Sequence, residues 1–259
     1  MQPTTNALAH IEVLRKSQQQ FEETSNRYQT NIDFREQANY AHQQIIKTQS
    51  YGDFSLLNAD PHSIHEAFML TAILGISLNP HRDYAYLTSR WNVGQGKLEC
   101  KLEIGYRGYQ YLAACAGVIK RADAMLIYSK DDFAYHGPRQ EVQHRITSLS
   151  TSLEARGEMA GGYCMAELID GSICTTVMSP EELTAIETEM LAAAGDGFSV
   201  WKGPFRDQMR IKTVIRRAWK QWEMLVESLG ADSDLMKRVS NLSQQDESDA
   251  DNADLPVTE

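Results

Sequence analysis

Apolar positions fall into helical spacing early in the chain, into strand-like alternation through its middle, and back into helical spacing toward its end. The clearest early segment runs from Asp60 to Leu78: Ile64, Ala67, Phe68, Thr71 and Leu74 share a face, Asp60 can cap, Pro61 suits the first turn, and Asn79-Pro80 ends it. From about Thr5 to Tyr28 the apolar line thins to Leu14, Phe21 and Tyr28, which predicts an arm packed on something larger. Tyr84–Trp91 and Leu98–Ile104 read as a hairpin with a flexible tip at Asn92–Gly96, and Gly105-Tyr106-Arg107-Gly108 leads into a helix through Tyr111, Leu112, Ala114 and Cys115 that stops at Gly117. Further strands are expected at Ala124–Lys130, Gly162–Ile169 and Ser172–Met178, the last two joined by a type I′ turn at Asp170-Gly171. Ser179-Pro180-Glu181-Glu182 forms a capping box for a helix to about Ala194, a loop follows at Ala194–Gly197, and Gly203-Pro204 launches a long final helix. Helices, then strands with one inserted helix, then helices again predict an α+β fold with a central antiparallel sheet.

The last of these helices changes the picture. On a helical wheel Ile211, Val214, Ile215, Ala218, Trp222 and Leu225 fall on one face, while Arg206, Arg210, Lys212, Arg216, Arg217 and Lys220 fall on the other. With Lys202, these cations oppose only Asp207 between residues 201 and 220, a local net charge of +6 in a chain of net −10. A solvated helix face, a phosphate-binding surface and a membrane-surface helix all fit such a pattern. The tryptophans and β-branched residues of the apolar arc suit packing on a sheet, which favours phosphate over membrane.

Charge is unevenly spread elsewhere too. From Ser240 to Glu259 stand six acids and no Lys or Arg, so the remaining body carries only −4. That tail buries too little apolar area to offset its ordering entropy, and disorder is expected. At 259 residues the chain suits one large domain with appendages or two small domains. No run approaches the roughly 18 apolar residues of a membrane span, and no signal-peptide core is present, so a cytoplasmic location is expected. Cys100, Cys115, Cys164 and Cys174 lack CxxC spacing and read as buried reduced thiols.

No GxxxxGK[ST] loop exists, which argues against an ATP-driven machine. His62, His65 and His81 lack a metal-ligand pattern, no GxSxG elbow is present, and Glu181 and Glu182 are explained by capping. No catalytic or metal site is expected. Basic residues interleaved with aromatics are more informative. Tyr106-Arg107-Gly108-Tyr109 offers stacking planes and a phosphate fork at a strand-to-helix junction, where its alternative is a tight turn with a core tyrosine. Arg82 and Arg90 bracket the first hairpin strand, and Lys120 and Arg121 follow the inserted helix.

Three segments carry a resemblance: Leu78-Asn79-Pro80 followed by Tyr84-Ala85-Tyr86-Leu87; Ile104-Gly105-Tyr106-Arg107-Gly108 followed by Leu112-Ala113; and Gly203-Pro204-Phe205 followed by Lys212-Thr213-Val214-Ile215-Arg216-Arg217. In order and spacing, over roughly residues 60 to 226, the chain resembles the RecT family of phage-type single-strand annealing proteins, and more distantly the Redβ proteins. The resemblance implies a protein of DNA recombination and repair that binds single-stranded DNA without nucleotide hydrolysis, pairs it into annealed duplex, and forms homo-oligomeric rings or helical filaments. It implies a 5′-to-3′ exonuclease partner, a contact with the host single-strand-binding protein, no required cofactor, and annealing modulated by Mg2+.

Carried over by motif are Tyr106, Arg107, Gly108, Lys212, Arg216 and Arg217; Arg206 and Arg210 extend the same face, Arg82 and Arg90 flank the Tyr84–Leu87 strand, and Lys120, Arg121, Lys202 and Lys220, from the charge pattern, complete the expected DNA-binding set. The expected organisation is an oligomerising arm over 1–59, an annealing core over 60–230 and an acidic tail over 231–259. Phe205 stands where the family often has Trp, and Ala-Trp-Lys-Gln-Trp after Arg217 departs from its usual Leu-Phe-Lys type. Two other readings stay open: a metal-dependent nuclease on the same substrate, and a non-DNA assembly protein whose basic helix pairs with a neighbour's acidic tail.

Overall fold

The computed structural model describes the backbone of residues 5–150, 152–194 and 200–252, and side chains within 9–150, 152–192 and 201–242. The chain divides into two compact units, residues 1–108 with 237–259, and residues 109–236.

In the first unit, α1 (Thr5–Lys16) and α2 (Gln18–Arg27) break at Ser17, whose hydroxyl donates to the Val13 carbonyl at 2.8 Å and meets His65 Nδ1 at 2.7 Å. α3 (Phe34–Lys47), which no separate apolar segment announced, is capped by Asp33, which accepts the Glu36 N–H at 2.7 Å. Two short 3-10 helices, Thr48–Phe54 and Leu56–Asn58, lead to α4 (Pro61–Leu74). Asp60 caps α4 through the Ser63 N–H, and Pro61 occupies its first turn, as expected. The helix stops four residues earlier than Leu78, because Gly75 takes a left-handed φ of 67° and closes it.

Phe21 of α2 is fully buried and packs against Phe68 of α4 at 4.8 Å and Phe34 of α3 at 5.5 Å, so the thin apolar line packs on the helices that follow it. β1 (Ala85–Asn92) and β2 (Lys97–Ile104) form the expected antiparallel hairpin. Its edges are satisfied by helix side chains and by the turn before α4. Gln44 Oε1 accepts the Leu87 N–H, Ser63 Oγ accepts the Cys100 N–H, and the Asp60 N–H donates to the Leu98 carbonyl.

α5 (Tyr106–Cys115) follows, and in the second unit β3 (Ile119–Tyr128) starts five residues before the predicted Ala124. Short β4 (Asp132–Ala134) and β5 (Gln143–Arg145) pair with each other, and a single helical turn, α6 (Leu153–Arg156), precedes β6 (Met159–Leu168) and β7 (Ile173–Met178). The sheet order is β3-β6-β7, all antiparallel; the strands therefore lie in separate small sheets, not in one central sheet. The β6–β7 turn differs from type I′. The Gly171 N–H donates to the Leu168 carbonyl and only Gly171, at φ 87°, is left-handed, which is a three-residue loop in which Asp170 serves by accepting the Ser172 N–H.

α7 (Pro180–Ala194) has the predicted reciprocal capping box: the Ser179 N–H donates to Glu182 Oε2 at 3.0 Å, and the Glu182 N–H to Ser179 Oγ at 3.2 Å. Of the loop expected at Ala194–Gly197, residues 195–197 lie outside the described residues. α8 (Arg206–Leu229) lays Val214, Ile215, Ala218 and Trp222, all fully buried, onto β3, β6 and β7. The approach is close: a Cβ at Gly162 of β6 would come within 2.9 Å of Val214 Cγ2.

α9 (Ser233–Asn252) buries Leu235, Met236, Val239 and Leu242. These positions anchor a helix whose backbone runs on to Asn252, where composition alone predicts a disordered tail from Ser240; residues 253–259 lie outside the described residues. All four cysteines are free, but Cys115 is exposed, which corrects the expectation of four buried thiols.

Candidate nucleic-acid interface

α8 supplies the most concentrated cationic surface of the second unit, and α7 decides how much of it faces solvent. Arg210, expected on the outward face, is buried. Its Nε and Nη2 donate to Glu187 Oε2 at 3.0 and 2.8 Å, and its Nη1 to Asp207 Oδ1 at 3.1 Å. Glu187, itself buried on α7, also takes the Arg206 Nε, although the Arg206 side chain is half exposed. Arg217 Nη1 donates to Glu182 Oε1 at 3.0 Å. Lys202 and Lys220 are exposed, and Lys212 and Arg216 are half-buried. Lys212, Arg216 and Lys220 follow each other at four-residue steps, a row with about 6 Å between positions along the axis. Lys120 and Arg121 follow the inserted helix, as expected, at the start of β3; both pair with Glu167 of β6 at 3.2 Å.

In the first unit, Arg107 is exposed, with Nη1 3.5 Å from Asp83 Oδ2, and its Nε donates to the Tyr106 hydroxyl at 3.2 Å. Asp83 adopts a left-handed φ of 55° and also accepts the Tyr86 hydroxyl at 3.0 Å. Burial, then the Asp83 carboxylate, pushes the Tyr86 phenol well above its ordinary range, so it stays a donor. Gly108 is buried, and a Cβ there would clash with the Tyr84 carbonyl oxygen; one at Gly105 would lie 2.5 Å from the Asp83 carbonyl oxygen. These glycines are needed for close approach of their own chain, which gives Gly108 a packing role at the junction. Arg82 is exposed with its guanidinium 6.0 Å from the Tyr84 ring, and Arg90 sits opposite Glu99 across the hairpin.

A buried polar cluster in the second unit escaped the sequence reading. The Asp131 side chain is fully buried, accepts Arg156 Nε at 2.9 Å and a second bond from Arg156 Nη2, and lies 3.1 Å from His144 Nε2. Hydrogen bonding from Arg156, then from His144, holds the Asp131 carboxyl well below the ordinary carboxylate range against the opposing effect of burial. Arg156 also stacks 4.3 Å over the Tyr128 ring, whose hydroxyl donates to Asp207 of α8 at 3.0 Å. The cluster ties β3, β4–β5 and α8 together around satisfied charges, which is a structural role. Among the described residues no group of three or more His, Cys, Asp or Glu is arranged to hold a metal ion, and no helix is long and apolar enough to cross a membrane.

Comparison with known proteins agrees with the motifs. The chain is 27% identical to Protein RecT of Escherichia coli (strain K12) over 179 residues, which is 67% of this chain and 62% of the length of that relative. The sequence model of the RecT family matches residues 36–254, a span that begins within α3, includes α4 to α9 and covers every basic position expected to bind DNA. On a match over most of its length, the chain belongs to the RecT family.

Proposed function

We propose that this protein binds single-stranded DNA and anneals it to a complementary strand without nucleotide hydrolysis, assembled with copies of itself in a ring or filament. The observation that carries the reading is the row Lys212, Arg216 and Lys220 on a helix whose opposite face is anchored in a sheet. Fixed cations at regular spacing neutralise phosphates and release counterions, so two mutually repelling strands can lie on one surface. Contacts to phosphate carry no sequence information, and base pairing decides which strand stays. Weak sites repeated along an oligomer then act multivalently.

Lys202, Arg206 and Arg217 extend the row, and Arg82, Arg90, Tyr106 and Arg107 of the first unit and Lys120 and Arg121 of β3 are proposed as secondary contacts. Arg210 and Gly108 act through structure. Residues 1–59 are assigned to self-association, and a 5′-to-3′ exonuclease and a host single-strand-binding protein are the proposed partners, in the cytoplasm. Mg2+ is expected to modulate annealing without being required.

The test mixes labelled complementary oligonucleotides with the purified protein, without nucleotide and with a chelator present. Accelerated duplex formation supports the reading. Shortened strands that depend on added metal would instead favour a nuclease, and neither acceleration nor salt-sensitive binding would overturn the DNA reading altogether.

A further inference from the structure

Arg217 has two claimants if α8 holds DNA. Its pair with Glu182 is 43% exposed on each side, so a phosphate can reach it. Glu182 is aimed there by α7: one carboxylate oxygen accepts the Ser179 N–H that caps the helix, which leaves the other for Arg217. The Ser179 N–H, and then Arg217, lower the carboxyl's pKa against partial burial, so the charge is present at neutral pH. The neighbouring pairs of Arg206 and Arg210 both end on Glu187, which is only 4% exposed. Of these three contacts between α7 and α8, Glu182–Arg217 is the one open to solvent on both sides.

We infer that Glu182 is an intramolecular stand-in for phosphate, which occupies Arg217 in the DNA-free protein and yields it when a strand docks. The inference rests on the DNA-binding reading above. It makes Glu182 a residue that sets the strength of the grip. When phosphate displaces Glu182, the DNA releases a counterion but the freed carboxylate recruits a cation, so Arg217 adds little to net ion release and little to affinity. A modest grip per subunit, multiplied over an oligomer, lets an unpaired strand leave while a paired one stays.

Glu182→Gln isolates this effect, because Gln serves in a capping box as Glu does but cannot neutralise Arg217. Binding of a labelled oligonucleotide, the shortest that binds, is measured from about 50 to 200 mM salt. The expected result is affinity raised roughly two- to fivefold at the low-salt end. The double-logarithmic salt slope steepens by about 0.7, and the gain fades as salt rises. Arg217→Gln should cost more affinity in the Glu182→Gln background than in the wild-type background and should abolish the gain there. That second variant decides the matter even if Glu182→Gln alters stability.

Wild-type affinity and slope in Glu182→Gln would overturn the inference, as would an Arg217→Gln loss equally large in both backgrounds. If the wild-type protein binds no DNA, the inference falls with the functional reading. If it binds through Lys212 and Arg216 yet ignores Glu182, only the inference falls.

Discussion

Glu187→Gln removes the buried half of the contact between α7 and α8, and its cost can be estimated from the geometry. The Glu187 side chain is 4% exposed and its main partner Arg210 is 9% exposed, so the substitution strands a guanidinium away from water. Breaking a buried pair from one side costs about 3–5 kcal/mol. Arg210 keeps a 3.1 Å contact with the half-exposed Asp207, and Gln still offers one acceptor, which places the loss near the lower end, about 3 kcal/mol. In a protein of this size that lowers the melting temperature by roughly 6 °C. Glu182→Gln, at an exposed pair on the same two helices, should cost no more than about 0.5 kcal/mol. Thermal and urea unfolding followed by tryptophan fluorescence reads both, since Trp219 and Trp222 are buried on α8. A Glu187→Gln protein within about 0.5 kcal/mol of wild type, or equal losses in the two variants, would refute the assignment of Glu187 as the anchor of α8.

Three other substitutions or treatments have defined outcomes. Asp131 has a folded pKa held below its unfolded value of about 3.9, so its stabilisation is complete above that value and is lost as pH falls through the folded one. Asp131→Asn should therefore be less stable at neutral pH and should show a weaker decline in acid; unfolding curves that run parallel to wild type from about pH 5 downward would count against this. Under native conditions a thiol reagent should modify Cys115 alone, because burial pushes the Cys100 and Cys164 thiols up to about 12 and raises Cys174 as well. Mass spectrometry showing rapid labelling of any of those three would contradict the packing described. Gly108→Ala should cost at least about 2 kcal/mol by driving a methyl into the Tyr84 carbonyl, with DNA binding reduced only as far as folded protein is lost; a stable variant with impaired binding would return Gly108 to the interface.

What the sequence made legible was local. The hairpin of β1 and β2, the capping box of Ser179 and Glu182, and the docking of α8 by its apolar face all follow from spacing within one or two elements. Arg210 was misplaced because its anchor, Glu187, stands on another helix. A sign was nonetheless present: Arg210 heads the four-residue stripe of Val214, Ala218 and Trp222, which makes its inward orientation natural. Burial of the N-terminal helices depended on Phe21 meeting Phe34 and Phe68 from two other helices. The Asp131, His144 and Arg156 cluster gathers residues from separate strands and turns with no shared spacing, so no linear pattern could announce it. At the Tyr106-Arg107 junction the space beside Gly105 and Gly108 is filled by the Asp83 and Tyr84 carbonyls, some twenty residues earlier in the chain, which no local pattern shows.

The central claim is that the α8 row holds DNA through its phosphates, and the salt dependence of binding by Lys212→Gln with Arg216→Gln tests it most directly. Two lost phosphate contacts should lower affinity for single strands of every sequence alike and reduce the double-logarithmic slope by about 1.4, with the melting temperature unchanged. An intact double variant that binds with wild-type affinity and wild-type slope would contradict the account.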